Sequence, residues 1–525
     1  MRSSFLQLSA LAAVATAYHW PSPKFDALEA LLYERSPEPA GPFLEAPSLV
    51  GLLNKCQPSS TGVSVAAQWI RFAYHDMATH NVDDGTGGLD ASLYFERDRD
   101  ENVGDGMTAT VFELIDFPDK YVSKSDVEAV GVVLSVAECG GPTIPFRMGR
   151  IDATGPGPQG VPKPEQDIAT HIESFRKQGF TQSEMISLVA CGHTFGGVRS
   201  PDFPEIVPPP ADGSELISNF DTTPKFDNLV VTQYLDSTTQ NPLAVNSNKT
   251  VISDFRVFSS DKNVTMKRLA QPNVFAKTCQ DLLERMINTV PKGVKLSEVI
   301  KPLPVKVGGV QLSVTQNAMR LKAMLRLATA NPKRKITMFW QSRDGKSCTR
   351  TACSATFVGT NDTTTVLTRR AGMNPQKYWF DTPVNATLSA SKFWFEVDEQ
   401  NGKKPIALDN EGTGYELQDR VLFDTRRTKS DFSEEIFSFV TTVVVAIRND
   451  ITPSRVYATA MWRKGDVKNQ TFDLHLAEDI APTAGYVFYK GDAVGSSDFA
   501  IDIFSVVNGK TFVEDNRRTE FLEFS

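Results

Sequence analysis

The sequence predicts a multidomain chain: a mainly α-helical first half followed by an all-β, sandwich-like second half. Three observations carry this. At 525 residues the chain is too long for one core, so two to four domains are expected. Between about residues 45 and 295 apolar residues recur at helical spacing, separated by Gly/Pro-rich connections. From about residue 300 the pattern changes to short alternating or continuous apolar bursts bounded by turn residues.

From the N-terminus, "MRSSFLQLSALAAVATA" has one basic residue, an apolar run over 5–15 and the small-x-small sequence Ala15-Thr16-Ala17. This reads as a secretory signal peptide over 1–17, and hence as a secreted, extracellular protein. Residues 18–44 read as an N-terminal extension. No later apolar run reaches the ~20 residues of a membrane span. "IFSFVTTVVVAI" (436–447) is short and β-branched, as expected of a buried strand. Sequons at Asn248, Asn263, Asn361, Asn385 and Asn469 suit a glycosylated secreted chain. Among the 6 cysteines, Cys348 and Cys353 are close enough to bridge a turn; Cys56, Cys139, Cys191 and Cys279 leave three pairings open. A net charge of −8 argues against a nucleic-acid partner.

The first large domain is expected over 45–298. "VSVAAQWIRFAYHDMA", "SKSDVEAVGVVLSVAE", "PEQDIATHIESFRKQG", "TQSEMISLVACGHTFG" and "VFAKTCQDLLERMINTV" carry the helical pattern. Ser125-Asp126 and Thr181-x-x-Glu184 look like helix starts, the second a capping box. A linker is expected over 299–306, including "KPLPVK", and a β-rich region over 307–525 as one or two sandwiches. "TTTVLTRR" reads as one of its strands, and "NAMRLKAMLRLATA" (317–330) reads as strand rather than helix.

Within "RFAYHD", Arg71 and His75 stand four apart, so a helix puts both on one face. The flanks Val65, Ala66, Trp69, Ile70, Phe72 and Tyr74 are apolar or aromatic, which makes this face interior, and a buried arginine is rarely idle. A second histidine, His193 in "LVACGHTFGG", ends another apolar helix at a glycine run.

"RFAYHD", "GGPTIPFRMGRID" (140–152) and "CGHTFGG", followed by an aspartate, resemble in order the signatures of plant-type haem peroxidases, including secreted fungal members. The resemblance spans about residues 45–295 and leaves the β-rich half outside. It implies a b-type haem with His193 as iron ligand, backed by a buried carboxylate assigned to Asp261 in "VFSSDKNV". It implies that His75 takes a proton from hydrogen peroxide and returns it to the leaving oxygen, that Arg71 stabilises charge on that oxygen, and that Asn102 sets the tautomer of His75. It also implies two calcium ions. The distal one would use Asp76, Gly88, Asp90 and Ser92; the proximal one Thr194, Asp221, Thr223 and Asp227, in a segment one residue shorter than the family pattern.

Departures narrow the donor. Gln68 and Ser64 stand where manganese-oxidising relatives carry glutamates, and Leu188 stands where lignin-type relatives carry a surface tryptophan. Phe220 replaces the proximal tryptophan of intracellular relatives, and Tyr74 the usual Phe or Trp beside the distal histidine. The expected partners are therefore hydrogen peroxide and small phenolic reductants. His19, His80, His171 and His475 read as surface or loop residues. The alternative is a secreted carbohydrate-binding or adhesion protein. In it the β region would take a polysaccharide or cell-wall ligand on exposed aromatics such as Trp340, Trp379, Trp394 and Trp462, with the helical half as scaffold.

Overall fold

The computed structural model describes residues 18–35, 48–58, 62, 64–314, 318–346, 349–462, 469–495 and 499–518. The signal-peptide reading, and Cys348 of the expected Cys348–Cys353 bridge, lie outside the described residues. Contacts divide the chain into two compact units, one of residues up to 46 with 302 onward, the other of residues 47–301.

In the 47–301 unit the five expected helices occupy Val65–Met77, Lys124–Glu138, Ile168–Lys177, Gln182–Gly192 and Pro272–Asn288. Ser64 caps the first by accepting from the Ala67 amide, and Thr181 with Glu184 forms the expected capping box of the fourth. The second helix starts earlier than read. Its cap is Ser123, which accepts from the Asp126 amide, so Ser125 and Asp126 lie inside the first turn. Asp126 is buried there against Arg150 at 2.9 Å. Val65–Met77 packs closely on Lys124–Glu138: a Cβ at Gly131 would stand 3.3 Å from the Trp69 ring. Two disulfides, Cys56–Cys139 and Cys191–Cys279, settle the open pairings.

The other unit carries four larger antiparallel sheets. Val305–Val314, Met319–Leu327, Gln376–Val384 and Gly359–Asp362 form one, and a second is built on Lys335–Gln341 and Lys392–Asp398. Their inner faces share a core with Tyr378, Phe380, Phe393 and Phe395. The third sheet is built on Ser438–Arg448 and Tyr486–Gly495, and the fourth on Arg455–Trp462, Phe499–Val507 and Lys510–Arg518. The third sheet is buried on both faces. Val444 and Ala446 enter the first core, while Val443, Val445 and Ile447 enter a second core with the fourth sheet. That explains the unbroken apolar run 443–447, since a one-sided strand would alternate.

Several readings change. The last five residues of "TTTVLTRR" are a helix, Val366–Arg370, because Thr365 caps it with Thr368 in a reciprocal box. The stretch read as a linker enters a strand at Val305. Residues 23–33, read within an extension, form the helix Pro23–Tyr33, which carries Glu29; Glu34 follows at its end. Glu29 accepts from Lys306 Nζ at 2.9 Å and Arg326 Nη2 at 2.5 Å, while Glu34 takes Arg326 Nη1 at 2.7 Å and Lys377 Nζ at 2.6 Å. All five side chains are buried. Trp340, Trp379 and Trp462 are buried too, so they serve as core rather than as a sugar-stacking surface.

Candidate functional site

The Val65–Met77 helix buries His75 and leaves Arg71 half-buried on the same face. Arg71 Nη2 donates to the Val103 carbonyl at 2.7 Å, and its guanidinium lies 5.5 Å from the Phe203 ring centroid. Burial lowers its pKa to about 10 against the pull of Asp202, so it stays charged at neutral pH.

His75 Nδ1 lies 2.9 Å from Asn102 Oδ1. Asn102 Nδ2 donates to the Glu96 carbonyl at 2.9 Å, which fixes which end of the amide faces the ring. His75 therefore donates from Nδ1 and keeps Nε2 bare. Burial, and then the neighbouring Arg71 charge, lower its pKa to about 3 despite the Asn102 bond. The imidazole is neutral and able to accept a proton. Glu96 is held in turn, its carboxylate accepting from the Gly157 amide at 2.5 Å and pairing with Arg99 at 2.9 Å. The sequence reading missed Glu96, which no local pattern marks.

His193 closes the Gln182–Gly192 helix, and Cys191 ties that helix to Pro272–Asn288. His193 Nδ1 donates to Asp254 Oδ2 at 2.8 Å, leaving Nε2 free. Phe220 stacks on the ring at 4.1 Å between centroids and 14° between planes. The assignment of Asp261 as the buried partner is thereby corrected. Asp261 instead accepts from the Val264 and Thr265 amides at 3.0 and 2.9 Å, starting the next helix. In the segment after His193 and before the next long helix, Ser-Asp occurs at 253–254 and again at 260–261, and seven residues are about two helical turns, so the pattern could not separate them. The buried copy, Asp254, reaches the imidazole.

His75, Arg71 and His193 line one cavity of about 820 Å³, walled by Leu188, Phe195 and Val257 among others. Leu188 is buried in that wall. Tyr74 also lines the cavity, stacking on Phe175 at 5.9 Å. His171, read as a surface or loop residue, is buried and also lines the cavity. Its Nε2 lies 3.0 Å from the Lys163 carbonyl.

The two acidic loops are each gathered. Asp76 accepts from the amides of Asp90, Ala91 and Leu93 at 2.8, 2.8 and 2.9 Å, with Ser92 Oγ at 3.4 Å. Burial and the nearby Asp90 raise its pKa to about 7. Gly88, with φ at 123°, fits because a Cβ would come within 2.8 Å of the Thr289 carbonyl. Its amide donates to Thr79 Oγ at 3.1 Å, which in turn donates to the Asp76 carbonyl at 2.8 Å. On the proximal side Thr194 Oγ donates to the Asp227 carbonyl. Thr223 donates from Oγ to Asp227 and from its amide to Asp221, both at 2.8 Å. Asp221 Oδ2 is buried without a partner among the described residues, and burial with nearby Asp227 raises this carboxyl to about 7. A buried carboxylate with an orphaned oxygen, beside the half-buried Asp227, fits a hard cation.

Comparison with known proteins places this geometry. Residues 56–274 match the family model described as Peroxidase. A WSC domain-containing protein of Arthroderma benhamiae is 37% identical over 366 residues, covering 67% of this chain and 49% of that protein. Putative L-ascorbate peroxidase 6 of Arabidopsis thaliana is 36% identical over 135 residues, covering 25% of this chain and 41% of that protein. Mitochondrial cytochrome c peroxidase of Cryptococcus neoformans is 32% identical over 131 residues, covering 24% and 35%. The chain thus spans about half or less of the length of these relatives. The helical unit, with its paired histidines, is a peroxidase domain of the plant, fungal and bacterial superfamily, joined in one chain to an all-β region.

Proposed function

We propose that this protein is an extracellular haem peroxidase that reduces hydrogen peroxide and oxidises small phenolic donors one electron at a time. The observation that carries the reading is one cavity served by two imidazoles in matched roles. His75 presents a bare Nε2 beside a charged arginine, and His193 presents a bare Nε2 backed by a carboxylate. The residues fit a b-type haem: the walls are largely apolar, one imidazole with a buried carboxylate is available as ligand, and the sequence has no CxxCH attachment motif.

When bound, haem supplies the redox-active iron that His193 Nε2 ligates. Asp254 orients His193 and makes its ring more electron-rich. His75 Nε2 takes a proton from hydrogen peroxide and delivers it to the departing oxygen, which leaves as water. Arg71 sets a positive charge beside that oxygen while it carries negative charge. Calcium at both acidic loops belongs to the same reading, with Asp76, Gly88, Asp90 and Ser92 distal and Thr194, Asp221, Thr223 and Asp227 proximal. Secretion rests on the signal-peptide reading of residues 1–17. Glycans are proposed at the exposed Asn248, Asn385 and Asn469.

Stopped-flow mixing of the haem-loaded protein with peroxide tests the reading. His75→Ala should slow the reaction by ~10²–10⁴-fold, as expected for a lost general base. His193→Ala should lose haem or its histidine-ligated spectrum. A His75→Ala variant within about threefold of wild type would sink the distal assignment.

A further inference from the structure

The mouth of the cavity carries charge that the proton chemistry does not use. Asp100, Glu101, Glu165, Asp202 and Glu205 line it, and Asp100, Glu165 and Glu205 are exposed. The cations lining the same cavity are Arg71, Lys163 and Arg199. Arg199 is already committed, with Asp202, Asp105 and Glu215 at 3.1, 3.3 and 3.0 Å from its guanidinium. Arg71 lies deeper and donates to a backbone carbonyl. Lys163 interacts with Glu101. An anionic molecule arriving at this mouth therefore meets exposed carboxylates, and the guanidinium best placed to greet it is held by three others.

We infer that the mouth selects the reductant by charge, admitting neutral and cationic donors and turning away anionic ones. This rests on the peroxidase reading and narrows its substrate class. Glu165 and Glu205 are the specificity-determining residues, since both are exposed and neither has a place in the proton chemistry around His75. Clefts lined by one sign of charge change encounter rates by ~10–10³-fold at low salt. Salt screens the effect, since the Debye length falls from about 30 Å at 0.01 M to about 10 Å at 0.1 M. One of the similar proteins, putative L-ascorbate peroxidase 6, is named for L-ascorbate, whose monoanion this mouth disfavours.

The test measures kcat/KM of the haem-loaded full chain at low and moderate salt. The donors are hexacyanoferrate(II) and ascorbate as anions, guaiacol as neutral phenol, and a phenol bearing a trimethylammonium group as cation. Comparisons within one donor remove intrinsic reactivity. Turnover of both anions should rise about tenfold with added salt, that of the cation should fall, and guaiacol should hold steady. The double variant Glu165→Gln/Glu205→Gln should raise the anions about fivefold at low salt and leave guaiacol unchanged. Anion rates that fall with salt, or that ignore the double variant, overturn the inference. Absorbance of the haem-loaded protein is followed separately after peroxide without donor. A response there with failed charge selectivity removes only this inference, and no response removes the peroxidase reading beneath it as well.

Discussion

Asn241 and His193 donate to the same carboxylate oxygen, Asp254 Oδ2, at 2.7 and 2.8 Å. Asn241 and Asp254 are buried, so neither bond is shared with solvent. The Asn241 amide withdraws electron density from the oxygen that would otherwise pull harder on the His193 proton. Asn241→Leu should let Asp254 draw that proton closer, enrich the imidazole and lower the haem midpoint potential by a few tens of millivolts, where about 1.4 kcal/mol corresponds to 59 mV for one electron. Spectroelectrochemical titration reads it. An unmoved potential, with Asp254→Asn still raising it, removes Asn241 from the tuning role.

Asp254 and Asp261 separate cleanly by mutation. Asp254→Ala should alter the haem spectrum and weaken haem retention, because it leaves the His193 Nδ1–H unpaired. Asp261→Ala should keep the spectrum and cost only about 1 kcal/mol, as for a lost helix cap. Absorption spectra and thermal unfolding of the two variants decide. A spectral change confined to Asp261→Ala would return the role to that residue.

The acid limit of peroxide reactivity should follow His75. Its pKa is held down at about 3 by burial and by Arg71, so the neutral base survives well below pH 6. The rate with peroxide should stay flat from neutral pH down to about 4 and fall below that as Nε2 takes a proton. Arg71→Leu removes the depressing charge, so its acid limb should move to higher pH. A limb that stays in place contradicts the electrostatic coupling of Arg71 to His75.

Metal removal tests the acidic loops. Chelation should lower both the thermal transition and the peroxide rate, and added calcium should restore them, because Asp76 adjoins His75 and anchors residues 90–93. If the amide bonds to Asp76 suffice to hold the loop, chelation and Asp90→Ala will leave both readouts unchanged, and elemental analysis will find no calcium.

The buried charge cluster of the β unit predicts acid lability. Burial raises both carboxyls, but the cations outweigh it: Arg326 and Lys306 for Glu29, and Lys306, Lys377 and Arg326 for Glu34. Both pKa values therefore lie below the ordinary 4.5. The stability they contribute is present above about pH 4.5 and drains away as pH falls toward the folded-state values. Glu34→Ala should cost about 3–5 kcal/mol, since Lys377 and Arg326 lose a buried partner. Denaturant titration of the full chain, following tryptophan emission, measures it; a loss under about 1 kcal/mol argues against the cluster.

Much of this molecule was legible because its patterns are local. Spacing puts Arg71 and His75 on one helix face, and Thr181 with Glu184 announces a helix start. The β-branched run at 443–447 announces a strand, and its burial on both faces explains why it does not alternate. What escaped was long-range or duplicated. Asp254 and Asp261 offer the same dipeptide two turns apart, and only packing chooses. Asn241 and Glu96 act through contacts 13 and 6 residues away that follow no motif. His171 read as a surface or loop residue because its helix is polar on most sides, yet its own face is buried. Thr365 turned an apparent strand into a helix through a cap whose partner is another threonine.

The Pro23–Tyr33 helix has a consequence for biosynthesis. Glu29 accepts from the Leu303 amide 274 residues later in the chain, so the first helix leaves the ribosome long before its partners exist. At ~5–20 residues per second, that interval is roughly 14–55 s. During it the entire peroxidase unit is made, while Glu29 and Glu34 wait in water without Lys306, Arg326 and Lys377. The β unit can close only once the later strands arrive.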